Sequence, residues 1–148
     1  MKPPMTYSKA GEQLTARFEG CRLQAYADTG GVWTIGYGHT HGVMEGMTCT
    51  RAQALTWLEQ DTQAAANAVN QLVAVPLKQA EFDALADFVF NLGAGAFARS
   101  TMLKDINAGN LAEAAAQFPL WDHDAGRVLA GLLHRRLAEQ MEFEGRTA

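Results

Sequence analysis

The chain predicts an α+β fold, and three observations carry that prediction. Two short runs of β-forming residues lie near the N-terminus on either side of Asp28-Thr29-Gly30-Gly31, a turn signal in which glycine supplies positive φ. Beyond Thr50, apolar residues recur at intervals of three and four, the spacing of one helical face. No later strands alternate with those helices, so sheet and helices are segregated rather than interleaved as in βαβ folds. The 148 residues suggest one domain, spanning 1–148, which can bury roughly 70% of the surface its unfolded form exposes. With 48% hydrophobic and 19% charged residues the balance is globular and argues against disorder.

Each element has a local reason. Ser8 is placed to cap a first helix over 9–19, with Leu14 and Phe18 sharing its inner face and Gly20 stopping it. Glu19 then falls at the C-terminal end, where the helix dipole disfavours a carboxylate, so this acid hints at a use other than stability. Residues 22–27 and 32–35 read as strands, and Val43 and Met44 are placed to add a third. So small a sheet must lean on helices. Thr50-Arg51-Ala52-Gln53 fits a capping box opening a long connecting helix over 51–73, on the order of 30 Å in length. Its inner face would carry Leu55, Leu58, Thr62, Ala65, Val69 and Leu72.

Pro76 suits the first turn of the next helix, which ends at Gly93. Phe82, Leu85, Phe88, Val89 and Leu92 would face inward, and Glu81, Asp83 and Asp87 would face water. Asn91 to Phe97 reads as a turn, and Ser100 is placed to cap a helix over 101–108. Asn110 opens another helix, closed by Pro119. Residues 121–131 read as one helical piece, and 132–143 as a last helix with Leu133, Leu137 and Met141 on one face.

Composition narrows the function classes. The net charge of −4 and pI near 5.5 give no prior for nucleic acid, whose binders usually show a basic face. No window approaches the ~18 apolar residues of a membrane span, and the N-terminus has no signal-peptide pattern, so a soluble cytoplasmic chain without a membrane anchor is expected. Cys21 and Cys49 are expected to be free thiols. His39, His41 and the two cysteines match no metal-ligand spacing, so neither metal nor other cofactor is expected.

The chemistry concentrates between Glu19 and Thr40, EGCRLQAYADTGGVWTIGYGHT. Two carboxyls in unlike surroundings are the tools for cleaving a glycosidic bond: one gives a proton to the leaving oxygen, the other attacks or activates water. Burial against Phe18 would favour the protonated form of Glu19, whereas Asp28 in a solvated turn would stay charged. The strand between them spans roughly 20 Å if extended, so a hairpin folding back across the helix end is required. Thr34 would lie across that hairpin and could hold a water beside Asp28.

The order Glu19, Asp28, Thr34 within this stretch resembles the catalytic signature of phage-type lysozymes, the endolysin glycoside hydrolases. The run from Thr34 to Thr40, the segment from Phe90 to Asn107 and the C-terminal stretch from Ala130 to Gln140 are similar to further marked stretches of that family. The resemblance covers nearly the whole chain. It implies a two-lobed lysozyme-like fold: a three-stranded sheet lobe over about 20–50, the connecting helix over about 51–73, and a helical lobe over about 76–148 joined by the N-terminal helix. It implies a cleft between the lobes, Glu19 as general acid, and Asp28 with Thr34 positioning water. The bond cut would be the β-1,4 link between N-acetylmuramic acid and N-acetylglucosamine in peptidoglycan, with inversion and carboxyls roughly 6.5 to 9.5 Å apart.

His39 and Thr40 would line the small-lobe side, Phe90 and Ser100 would meet glycan from the helical lobe, and Arg135 would pair with Glu19. A monomer is expected, made in the host bacterial cytoplasm, acting on the wall after a separate holin-like protein opens the membrane. Many relatives are basic, and this acidic chain departs from them. Two other readings stay open here: a non-catalytic protein binding glycan or a partner on the same scaffold, and a lytic transglycosylase, which needs no nucleophilic water.

Overall fold

The computed structural model describes residues 2–124, 127–128 and 130–146. Helix α1 (Lys9–Glu19) leads into a hairpin of β1 (Arg22–Ala27) and β2 (Trp33–Gly36). Helix α2 (Arg51–Leu72) then carries the chain into α3 (Gln79–Leu92), α4 (Ala94–Ala98), α5 (Thr101–Asn107) and α6 (Leu111–Gln117). A 3-10 turn (Phe118–Leu120) and a short antiparallel pair, β3 (His123–Asp124) with β4 (Arg127–Val128), precede α7 (Ala130–Phe143).

The caps predicted at Ser8 and Thr50 form, whereas Asn110 opens α6 without a side-chain cap. The Ser8 and Thr50 side chains accept from the amides of Gly11 and Gln53 at 3.2 and 3.1 Å, satisfying donors that the first turns of α1 and α2 leave unpaired. Gly20 and Gly93, at φ 66° and 94°, end α1 and α3 where a side chain would be strained. Strands β1 and β2 pair Tyr26 with Thr34 and Ala27 with Trp33, with an irregularity between Arg22 and Tyr26. The third position in the sheet is not taken by Val43 and Met44. Residues 47–49 run beside β1 instead, with Ala25 N–H donating to Met47 O and Cys49 N–H to Leu23 O. That pairing is a single bridge, so the sheet proper has two strands.

Two apolar clusters form on α2. Tyr37, Ala54 and Leu58 make a small one beneath the hairpin, flanked by Cys21 and Cys49, both free thiols. Ala65, Ala66 and Val69 belong to a much larger one with α3, α5, α6 and Phe143. Its phenylalanines Phe82, Phe88, Phe97 and Phe118 are fully buried, each contributing about 2 kcal/mol or more. Within it Phe88 meets Phe97, Phe118 and Trp121 edge-on.

Several expectations are corrected. Pro76 lies in the lead-in to α3, whose first turn is closed by Lys78 N–H donating to Glu81 Oε1 at 2.7 Å. The Asn91–Phe97 segment ends α3 and forms most of α4 rather than a turn. Residues 121–131 hold the β3–β4 pair, and residues 125, 126 and 129 lie outside the described residues. Leu55 and Leu137 are exposed, and Gly11 and Thr15 rather than Leu14 and Phe18 form the buried face of α1. The largest correction concerns Glu81, Asp83 and Asp87, which are buried rather than solvated. Helix α3 is covered by α1, α2 and α7 together, so every face is enclosed and each acid needs an internal partner.

Candidate active site

Glu19 is the last residue of α1 and stands half-buried at a cleft of about 570 Å³. The cleft is lined by Gly38, Thr40 and His41 from the segment after β2, by Gln60 and Asp61 from α2, and by Phe90 and Asn91 from α3. One oxygen of Glu19, Oε2, accepts from Arg135 Nη1 at 2.6 Å. The other faces the backbone of Gly38: a Cβ at that position would collide with Oε1, and the residue sits at φ +80°. Only glycine lets the chain lie this close over the acid.

Arg135 is itself held from below. Its Nε and Nη2 donate to Asp87 Oδ2 and Oδ1 at 2.9 and 2.8 Å, a two-pronged pair whose planar geometry fixes the guanidinium. Asp87 also accepts from Thr15 Oγ1 at 2.7 Å, and the Tyr7 hydroxyl bonds to Thr15. Burial pushes the Asp87 carboxyl upward, but hydrogen bonds from Glu139, Arg135 and Thr15 with the Arg135 charge outweigh it and hold it at about 2. Burial disfavours the Arg135 cation, but Asp87 and Glu19 overcome it and raise its proton affinity.

Asp28 is held by different means. It is exposed, and its Oδ1 accepts from the amides of Gly30 and Val32, both at 2.8 Å, a side-chain-closed turn that leaves Oδ2 free. Thr34, buried on β2, donates to Val32 O at 3.0 Å and keeps its lone pairs available. Neither residue lines the cleft around Glu19 described above.

The remaining predicted residues divide. Thr40 and Phe90 line the cleft. His39 is buried behind the lining, stacked on Trp57 at 4.6 Å with its Nδ1 2.8 Å from Asp61 Oδ2, where it ties the hairpin to α2. Ser100 is a correction: its buried hydroxyl donates to Phe97 O and accepts from the Leu103 amide, so it caps α5 and has no reach to a ligand. Arg135 pairs with Glu19 as expected, and its burial removes it from direct contact with glycan. Among the described residues, no group of three His, Cys, Asp or Glu side chains is placed to hold a metal ion.

The sequence reading missed Asp61, Asp87, Asn91, Arg136 and Glu139. A signal existed for Asp87: Gln79–Leu92 is apolar around most of its circumference, and an acid in such a helix has no solvated face to occupy.

Comparison with known proteins decides the relationship. A family model described as phage lysozyme matches residues 16–139. The chain belongs to the phage lysozyme family. It is 40% identical over 144 residues to an endolysin of Acyrthosiphon pisum secondary endosymbiont phage 1, covering 95% of this chain and 99% of that one. An endolysin of Salmonella phage P22 is 42% identical over 144 residues, with 94% and 98% covered. Among solved structures, the muramidase domain of SpmX from Asticaccaulis excentricus matches with a TM-score of 0.88 at 42% identity, covering 93% of this chain and 97% of that one. Phage lysozyme structure thus accounts for the whole arrangement: hairpin, long helix and helical body.

Proposed function

We propose that this phage lysozyme is a muramidase that hydrolyses the β-1,4 bond between N-acetylmuramic acid and N-acetylglucosamine in peptidoglycan, with residues 1–148 working as one domain. It is a glycoside hydrolase of the lysozyme type with an endolysin's role in cell lysis. The observation that carries the residue assignment is Glu19, clamped on one oxygen by Arg135 and open to the cleft beside Gly38. In this reading Glu19 gives its proton to the leaving glycosidic oxygen. Asp28, anchored by two amides, uses its free oxygen to accept a proton from the attacking water, and the Thr34 hydroxyl orients that water. Water attacking the face opposite the leaving group inverts the anomeric carbon.

Thr40 and Phe90 flank the sugar. The phenyl ring gives a flat apolar surface, and the threonine hydroxyl gives a hydrogen-bond partner. His39 acts indirectly, by keeping the segment that bears Thr40 against α2.

Passage to the wall through a membrane opened by a separate holin-like protein, storage in the host cytoplasm until then, and action as a monomer complete the proposal. Their support is the kinship with endolysins. No helix among the described residues is long and apolar enough to cross a membrane.

Product analysis on purified peptidoglycan tests the reading. Reducing muramic-acid ends with inverted configuration are expected. Anhydro ends would mark a transglycosylase, and glycan binding without new ends would mark a binding protein. Clearing of wall suspensions to the same extent by wild type and Glu19→Gln would remove Glu19 from its role.

A further inference from the structure

The cleft holds one polar side chain whose orientation is dictated from the interior. Asn91, the penultimate residue of α3, lines the cleft beside Phe90. Its Oδ1 accepts from Arg136 Nη2 at 2.9 Å. Arg136 and Glu139, one turn further along α7, are both wholly buried. Arg136 Nη2 also donates to Glu139 Oε2 at 2.9 Å, and Nε lies 2.7 Å from Oε1. The guanidinium carbon stands 5.2 Å from the centre of the Phe88 ring. A planar cation paired on one edge and stacked on an aromatic face has no freedom to turn away from Asn91.

A guanidinium carries donors and no acceptor, so it can face only the oxygen end of a carboxamide. Turning the Asn91 amide over would set donor against donor and deprive a buried cation of a partner. The Nδ2 end therefore points away from Arg136. It has no hydrogen-bond partner among the described residues, and it is not sealed from solvent. It opens on the cleft as a donor. The neighbouring polar side chains are not fixed in this way. Thr40, His41 and Gln60 are exposed and free to give or accept, and Asp61 is paired with His39.

A fixed donor selects for an acceptor. The hydroxyls of an amino-sugar polymer can give or accept, so they discriminate little. The carbonyl oxygen of an acetamido group only accepts, and the ammonium left by removal of the acetyl group only donates.

We propose that Asn91 is a specificity-determining residue: its Nδ2, turned outward by Arg136, donates to the acetamido carbonyl oxygen of an N-acetylated sugar in the cleft. The proposal rests on the muramidase reading for the nature of the glycan. The same amide rejects the de-acetylated sugar, because donor then faces donor. Recognition of the acetyl group is in this way tied to an ion pair that the glycan never touches.

Two measurements on the full chain test this. The first uses Asn91→Asp, which keeps the shape of the side chain and an oxygen for Arg136 but puts an acceptor where the donor stood. Its kcat/KM should fall about tenfold on intact peptidoglycan and hold or rise on chemically de-N-acetylated peptidoglycan. Equal losses on the two walls would mark a packing role and overturn the proposal, as would an unchanged rate on intact wall. The second needs neither catalysis nor a variant. The side-chain NH2 signals of Asn91 in 15N-labelled protein, assigned from the residue's own backbone amide, should shift on addition of N-acetylglucosamine trimer and much less with glucosamine trimer. Signals that stay in place with the acetylated trimer, or move alike with both, overturn the proposal. If wild type releases no new ends from any wall while the signals shift selectively, the muramidase reading falls and the acetamido contact stands. If wild type cleaves and the signals stay in place, only the contact falls.

Discussion

In the helical body an acid is held through its side chain, by a guanidinium anchored in a buried network; in the hairpin an acid is held by two backbone amides of a glycine turn. The difference separates two ways of building half a site. Glu19 owes its place to residues distant in sequence, Arg135 and Asp87, so its geometry is bound to the packing of α1, α3 and α7. Asp28 owes its place to its own turn, in which Gly31 adopts φ +81° and Val32 pairs with Asp28 on both backbone and side chain. Damage to the first should appear as instability, and damage to the second as lost activity in a folded protein.

Experiments can break or sharpen this contrast. The largest effect expected is on chemistry: if Glu19 is the proton donor proposed above, Glu19→Gln should slow wall clearing by about 10³-fold, as read by turbidity. Arg135→Ala should cost about 3–5 kcal/mol in urea unfolding, since it strands the buried Asp87 charge. Asp28→Asn is the counterpart: its oxygen still closes the turn, so stability should change by less than about 0.5 kcal/mol while clearing falls by about 10²-fold. A large stability loss from Asp28→Asn would erase the distinction between the two regions. Ser100→Ala should cost about 1 kcal/mol by loss of the α5 cap and leave activity per folded molecule unchanged.

A further effect appears in acid. A carboxyl held at about 2 when folded and at 3.8 in its ordinary state contributes stability that is complete above 3.8 and lost as pH falls towards 2. Thermal melts across that window should therefore fall more steeply for wild type than for Asp87→Asn.

Much of the hairpin side was legible in the sequence, because local rules govern it. Asp-Thr-Gly-Gly announces its turn, and the strand limits at 22–27 follow from it. The caps at Ser8 and Thr50 are local too, as is the end of α3 at Gly93. What stayed hidden depends on pairing across the fold. The apolar circumference of α3 marks Asp87 as an acid without a solvated face, but its partner, Arg135 from a helix 48 residues away, has no local signature. Ser100 shows the reverse confusion: it lies in a stretch resembling a binding segment, yet capping consumes both hydrogen-bonding roles of its hydroxyl. Residues 47–49 displaced Val43 and Met44 from the sheet edge because register is set by the bridge to Gln24, which no local pattern reveals.

The two apolar clusters strung along α2 differ greatly in size, with three buried residues under the hairpin against eighteen in the helical body among the described residues. A region with so small an apolar anchor opens at lower free energy than its neighbour. On warming, backbone amides of β1 and β2 should exchange with deuterated solvent while those of α3 remain protected. Heat inactivation would then precede the calorimetric transition, and cooling from that interval would restore full lytic power, because the larger body never came apart.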